Sequence, residues 1–210
     1  MNQQEKQMTE QESLLIIQQM ISTAKKEQRD DGTGWIIWGW LLFLASACTL
    51  LNLYFKWFSA WFFWNFFGVI SLVFLLYTII RFLFFRKTEK VKTYTKDIFD
   101  KLNIGFFISL ALIIVAINVG VGPEKGFALL MGLYGFWILI YGTALNFRPS
   151  VIGAYITWAL AFAALFVKNF EMVMALHAIA VLAGYIIPGH IANSEFKKKS
   201  ENQLIYTKGV

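Results

Sequence analysis

The sequence predicts an all-α, polytopic membrane helix bundle with six transmembrane helices behind an N-terminal cytoplasmic amphipathic helix. Three observations carry this. Apolar runs of about 20 residues recur along the chain, the length a helix needs to cross a hydrocarbon core about 30 Å thick. Only 15% of the residues are charged, 58% are hydrophobic and the mean hydropathy is +0.56, whereas a soluble domain carries about 25% charge. Lys and Arg collect in the connections between the runs, as the positive-inside rule requires.

A length of 210 residues leaves room for one membrane domain with short tails. The expected divisions are 1–34 (cytoplasmic amphipathic helix and linker), 35–192 (membrane domain) and 193–210 (cytoplasmic basic tail). In the first segment Thr9 and Glu12 have the spacing of a capping box ahead of an apolar-rich stretch. At about 100° per residue, Leu14, Ile16, Ile17, Met20, Ile21 and Ala24 fall on one face and Gln18, Gln19, Ser22, Lys25 and Lys26 on the other. Such a helix is too short and too polar to span, so its stripe (Leu14, Ile17, Met20, Ile21) is read as an interaction surface. Its expected cover is the bilayer interface, a twin in a homo-oligomer, or a cytoplasmic regulatory protein. No cleavable signal is expected, because the first apolar run starts late, at Trp35, and its far end lacks a small-residue cleavage pattern.

The six spans are placed at 35–55, 59–80, 102–121, 126–147, 150–167 and 172–192. Gly122-Pro123-Glu124 ends the third, Pro149 stops the fourth, and Pro188-Gly189 is expected to bend the sixth or end its regular part early. An even number of crossings puts both termini on one side. That side then holds sixteen of the nineteen Lys and Arg, leaving Lys56, Lys125 and Lys168 on the other. Both termini are therefore expected in the cytoplasm. This placement also explains the net charge of +6 without nucleic acid. Trp35, Trp38 and Trp40 at one interface, and Trp57, Trp61 and Trp64 at the other, fit interfacial belts. Gly132, Gly135, Gly142 and Ala144, with Ala159, Ala163, Ala164, Ala180 and Gly184, predict a tight sub-bundle of spans four to six. The Phe-rich second span reads as lipid-facing.

Two polar constellations stand out. Ionisable side chains inside a bilayer are costly and commonly mark pathways. The spans hold no acidic or basic residue in their interiors, so His177 is the telling one, and Asn65 and Asn118 share its outer half. Packing across helix pairs is the plainer reading, and a ligand or ion site the alternative. On the cytoplasmic side, Arg148 and His190, with Tyr185 and Pro188 nearby, form a candidate site for a lipid headgroup or acidic partner. Here the plain alternative is a helix stop with a positive-inside anchor.

Catalysis finds no foothold. G-x-S-x-G, H-E-x-x-H, C-x-x-C and P-loop patterns are missing, and Ser46, Ser71 and Ser109 have no base nearby in sequence. His177 and His190 lie thirteen residues apart on one helix, about 20 Å at 1.5 Å per residue, so they cannot share a metal. The lone Cys48, inside an apolar run, reads as packing. No cofactor, no metal site and no catalytic residue are expected.

Three segments carry a resemblance: Ser13-Leu14-Leu15-Ile16-Ile17 with Met20-Ile21, Trp35-Ile36-Ile37-Trp38-Gly39-Trp40-Leu41, and Gly184-Tyr185-Ile186-Ile187-Pro188-Gly189-His190. With them the chain resembles a group of uncharacterised six-span bacterial inner-membrane proteins. The resemblance implies a bacterial inner membrane and a soluble regulatory partner, and it supplies no activity. The leading expectation is a non-enzymatic multi-pass protein whose cytoplasmic helix and basic loop engage a partner or the anionic leaflet. A small-solute or ion transporter or channel ranks second, and a lipid-processing enzyme third.

Overall fold

The structure is a computed structural model that describes residues 31–84 and 94–208. The expected interaction helix, with Leu14, Ile17, Met20 and Ile21, lies outside the described residues, as does most of the basic loop before Lys101. Seven helices and no strand make up the described chain: α1 (Thr33–Phe55), α2 (Phe62–Phe84), α3 (Tyr94–Ala116), α4 (Pro123–Ala144), α5 (Arg148–Phe166), α6 (Phe170–Val181) and α7 (Ile187–Lys208). Wider π turns extend α3 through Ile117–Val121 and join α6 to α7 through Leu182–Ile186. The fold is an all-α helical bundle.

Among the described residues, five segments are long and apolar enough to cross a membrane: Thr33–Phe55, Lys101–Val121, Pro123–Ala144, Arg148–Phe166 and Phe170–Lys198. In α2 the corresponding apolar stretch is the shorter Phe62–Ser71.

The element ends follow local chemistry. Gly32 sits at φ 71° ahead of α1, and Asp31 Oδ1 accepts from Thr33 N–H at 3.0 Å. Lys56, at φ 56°, closes α1 by giving its N–H to Asn52 O at 2.7 Å, a left-handed helix end. Gly120 and Gly122, at φ 149° and 80°, turn the chain from α3 into α4, which opens with Pro123, where a missing N–H costs nothing. Asn169 caps α6 by accepting from Glu171 N–H at 2.9 Å.

The last span was expected to bend, or to end its regular part early, at Pro188-Gly189; its regular α-helix runs to Val181 and a π turn follows. The π turn places Ile187 N–H on Leu182 O, five residues back, so the register slips ahead of Pro188. Pro188 then falls in the first turn of α7, where its missing N–H and fixed φ are tolerated. The helix runs on to Lys208, through residues expected to form a separate tail.

Small residues bring α4, α5 and the α6–α7 helix together. Gly153 lies against Ala183 O and the Cα of Gly184, leaving no room for a side chain. Thr157 Oγ1 donates to its own Gly153 O at 2.8 Å and reaches Ala180 O across the interface at 3.3 Å. Trp158 lies over Gly135 and donates Nε1–H to Gly132 O at 2.9 Å. The close approach expected for spans four to six is therefore present. Its α5 face is Gly153, Ala154, Thr157, Ala161 and Ala164, while Ala159 and Ala163 are exposed. α1 joins this group through Gly39, where a Cβ would come within 2.8 Å of Ile186 Cγ1.

The bundle has two distinct ends. At the first, Trp35 of α1 meets Tyr141 of α4 and Tyr185 at ring-centroid distances of 4.9 and 5.3 Å, and Phe99 of α3 meets Tyr141 at 5.6 Å. Asn193 Nδ2 donates to Asp31 O at 2.9 Å there, and Gly32 packs against Gly189. At the second, Trp61, Phe127 and Phe170 close over the starts of α2, α4 and α6 at 5.6 to 6.5 Å.

Candidate functional site

α1 is built inside out. Its buried stripe is Gly39, Leu42, Ala45, Ser46, Thr49 and Asn52, whereas Ile37, Leu44 and Leu51 are exposed. In lipid the hydrophobic effect does not drive helices together, so interfaces collect small and hydrogen-bonding residues. Ser46, Thr49 and Asn52 are 0%, 0% and 1% exposed. Thr49 Oγ1 donates to Ala45 O at 2.6 Å. Asn52 holds the α1–α2 connection: its Nδ2 donates to Phe58 O and Ser59 O at 3.2 and 3.0 Å, and its Oδ1 accepts from Phe58 N–H at 2.8 Å.

Ser46 faces His177 of α6, itself 0% exposed, with Oγ 2.7 Å from Nδ1 and 2.9 Å from Leu42 O. One hydroxyl hydrogen serves two neighbours. Given to Leu42 O, it leaves Oγ to accept from His177 Nδ1–H, and Nε2 keeps a lone pair. Given to Nδ1, it makes Nε2 the N–H of the ring. In both tautomers Nε2 lacks a hydrogen-bond partner, as does the buried Trp64 Nε1. The imidazole is enclosed by Trp64, Phe127 and Tyr134, at centroid distances of 5.5, 5.5 and 5.9 Å and interplanar angles of 80°, 88° and 67°. Aromatic faces are weak acceptors for N–H groups. The result is a buried polar point with aromatic walls.

This arrangement suits a buried hydrogen-bonding pair better than a nucleophile. A serine nucleophile needs an approach path for its substrate and a third group orienting the base; Ser46 is fully enclosed, and His177 Nδ1 already faces it. Among the described residues, no three His, Cys, Asp or Glu side chains gather as metal ligands.

The structure separates the other two outer-half residues from His177. Asn65 is exposed on α2, and Asn118 is exposed with Nδ2 turned back to its own Ile114 O at 2.7 Å. The neighbours of His177 are instead Ser46 and three aromatic rings. The second constellation collects at the first end of the bundle but divides by burial. Arg148, at the start of α5, and His190 are exposed, whereas Pro188 is buried and Tyr185 lies between Trp35 and Tyr134, at 5.3 and 6.1 Å. Sequence reading weighed Ser46 only as a nucleophile without a base nearby, and passed over Asn52 and Thr157. The available signal was the three-residue spacing of Ser46, Thr49 and Asn52 within a charge-free run, which puts all three near one helix face.

No known protein family, curated protein or solved structure matches this chain.

Proposed function

We propose that the chain crosses a bacterial inner membrane six times with both termini in the cytoplasm. In this reading it is a non-enzymatic interaction protein, and its N-terminal helix and basic segments engage a soluble partner or the anionic leaflet. The supporting observation is the gathering at the first end of the bundle. There the entry to α1, the start of α3, the end of α4 and the root of α7 meet around Trp35, Tyr141 and Gly189. The described residues that adjoin the Lys- and Arg-rich stretches stand at that end: Asp31, Phe99 and Asn193, which precedes Lys197 and Lys198. Excess positive charge on one side is the signature of the cytoplasmic face. The sixth crossing is assigned to α2, whose 23 residues suffice in length. The resemblance to six-span inner-membrane proteins points the same way.

Deleting residues 1–28 tests the interaction role. Loss of co-purifying partners or of membrane association of the cytoplasmic segments is expected, while the bundle itself still inserts. Unchanged oligomeric state, partners and membrane phenotype sink the reading.

A second reading, a small-solute or ion transporter, is favoured by one observation: His177 Nε2 is buried without a partner. Here His177→Ala abolishes uptake into reconstituted vesicles of any solute that the wild type carries. Undiminished uptake dismisses the site.

A further inference from the structure

α7 outruns the bundle. Beyond the aromatic layer of Trp35 and Tyr185 it continues from Asn193 to Lys208, a rise of about 22 Å. A free-standing helix of that length is marginal in water, because helices draw most of their stability from packing an apolar face. One face of the extension is shielded. Ala192, Asn193, Phe196 and Ser200 are half-buried, whereas Ser194, Glu195, Lys197, Lys198 and Glu201 are exposed. Positions 192, 196 and 200 follow one another turn by turn along the helix, and the same register continues to Leu204.

The chain that enters α1 lies on that same face. Asn193 Nδ2 donates to Asp31 O at 2.9 Å, and a Cβ on Gly32 would stand 3.0 Å from Ala192 Cβ. Residues 1–30 therefore reach the bundle on the shielded side of α7, less than one turn short of Phe196. Their apolar stripe, Leu14, Ile17, Met20 and Ile21, belongs to the helix that the sequence predicts over residues 9–24, which also measures about 22 Å. That helix runs toward Asp31 while α7 runs away from it, so the two are antiparallel. With Ala24 set beside Phe196, Met20 falls opposite Ser200 and Ile16 opposite Leu204. The charges then agree at both ends, Lys25 and Lys26 beside Glu195 and Glu12 beside Lys208. We propose that the N-terminal helix docks lengthwise on α7 beyond Asn193, its stripe covering Phe196 and Ser200. The inference deepens the interaction role given above and rests on it for the helix itself. A partner or the leaflet gains the stripe only by displacing α7, so the contact holds the interaction helix closed.

Cysteine cross-linking tests the docking in the full-length protein, with the one native cysteine removed by Cys48→Ala. Met20→Cys and Ser200→Cys are combined, the protein is oxidised with copper phenanthroline in phosphatidylcholine nanodiscs, and its peptides are mapped by mass spectrometry. A disulfide between positions 20 and 200 forms within one chain, whereas Gln19→Cys with Lys198→Cys, on the two opposite faces, stays unlinked. Equal linkage in both pairs overturns the proposal, and so does none in either. Linkage between chains alone does so too, since a second copy would then be the occupant. Hydrogen exchange gives the same answer without cysteines. Ile17→Asp raises exchange across residues 194–208 about tenfold, as a helix stripped of its packing requires, while Gln18→Asp leaves it unchanged. Wild-type exchange in Ile17→Asp is equally fatal. The disulfide reads the docking whether or not a partner exists. Partners untouched by deleting residues 1–28, alongside a disulfide in the intact chain, would end the interaction role and leave the docking standing.

Discussion

At the scale of single residues, the interior depends on polar groups answering one another in a dry medium. Ser46→Ala strips His177 Nδ1 of its neighbour, and an unanswered buried polar group costs about 1–3 kcal/mol. Thermal unfolding in detergent should show that loss. The double variant Ser46→Ala with His177→Phe should recover most of it, because apolar groups in both places leave nothing unsatisfied. If the double variant is as unstable as the sum of the singles, the pair is not coupled. Asn52→Ala releases three bonds to the α1–α2 connection. Hydrogen exchange at residues 56–61 should rise several-fold while exchange in α4 stays protected, and unchanged exchange would show that the connection needs no such clamp. His177 was legible in the sequence as the one histidine well inside an apolar run. Its pairing with Ser46 was not, because 131 positions separate the two, and the three-residue spacing of Ser46, Thr49 and Asn52 marks a helix face without saying what it meets.

At the scale of elements, helix contacts are set by where backbones approach. Gly153→Leu would force a side chain into Ala183 O and Gly184, and overpacking of that kind costs about 1–3 kcal/mol or more. Gly132→Ala meets open space and should be neutral or mildly stabilising. A thermal-stability ranking that places the two variants together would refute the seam. Small residues in spans four to six announced this packing, but composition alone does not say which side of a helix is used. Hence Ala159 and Ala163, counted among the signals, are exposed, while Ala154 and Ala161 do the packing. The helix break at Gly122-Pro123 was readable because proline and glycine act locally, whereas α4 already ends at Ala144 and Pro149 opens α5 instead of stopping α4. The passage through Pro188 was not readable, because it turns on a π turn whose widened ring leaves no pattern in the residues that form it.

At the scale of the molecule, the arrangement of crossings is the feature most open to test. Reporter fusions after Gln203 and within residues 123–125 should report opposite compartments. Agreement between them would undo the three crossings given to α4, α5 and the joined α6–α7 helix, and with them the side given to the basic tail. Length and apolarity made the bundle readable from the sequence, since a hydrocarbon slab imposes one length scale on every span. One feature of the first end also carries beyond the bilayer. The bond from Asn193 to Asp31 and the nesting of Gly32 on Gly189 knot the incoming strand of chain to the root of a helix that continues to Lys208. Displacing residues 31–32 would therefore act directly on the helix root at Gly189 and Asn193.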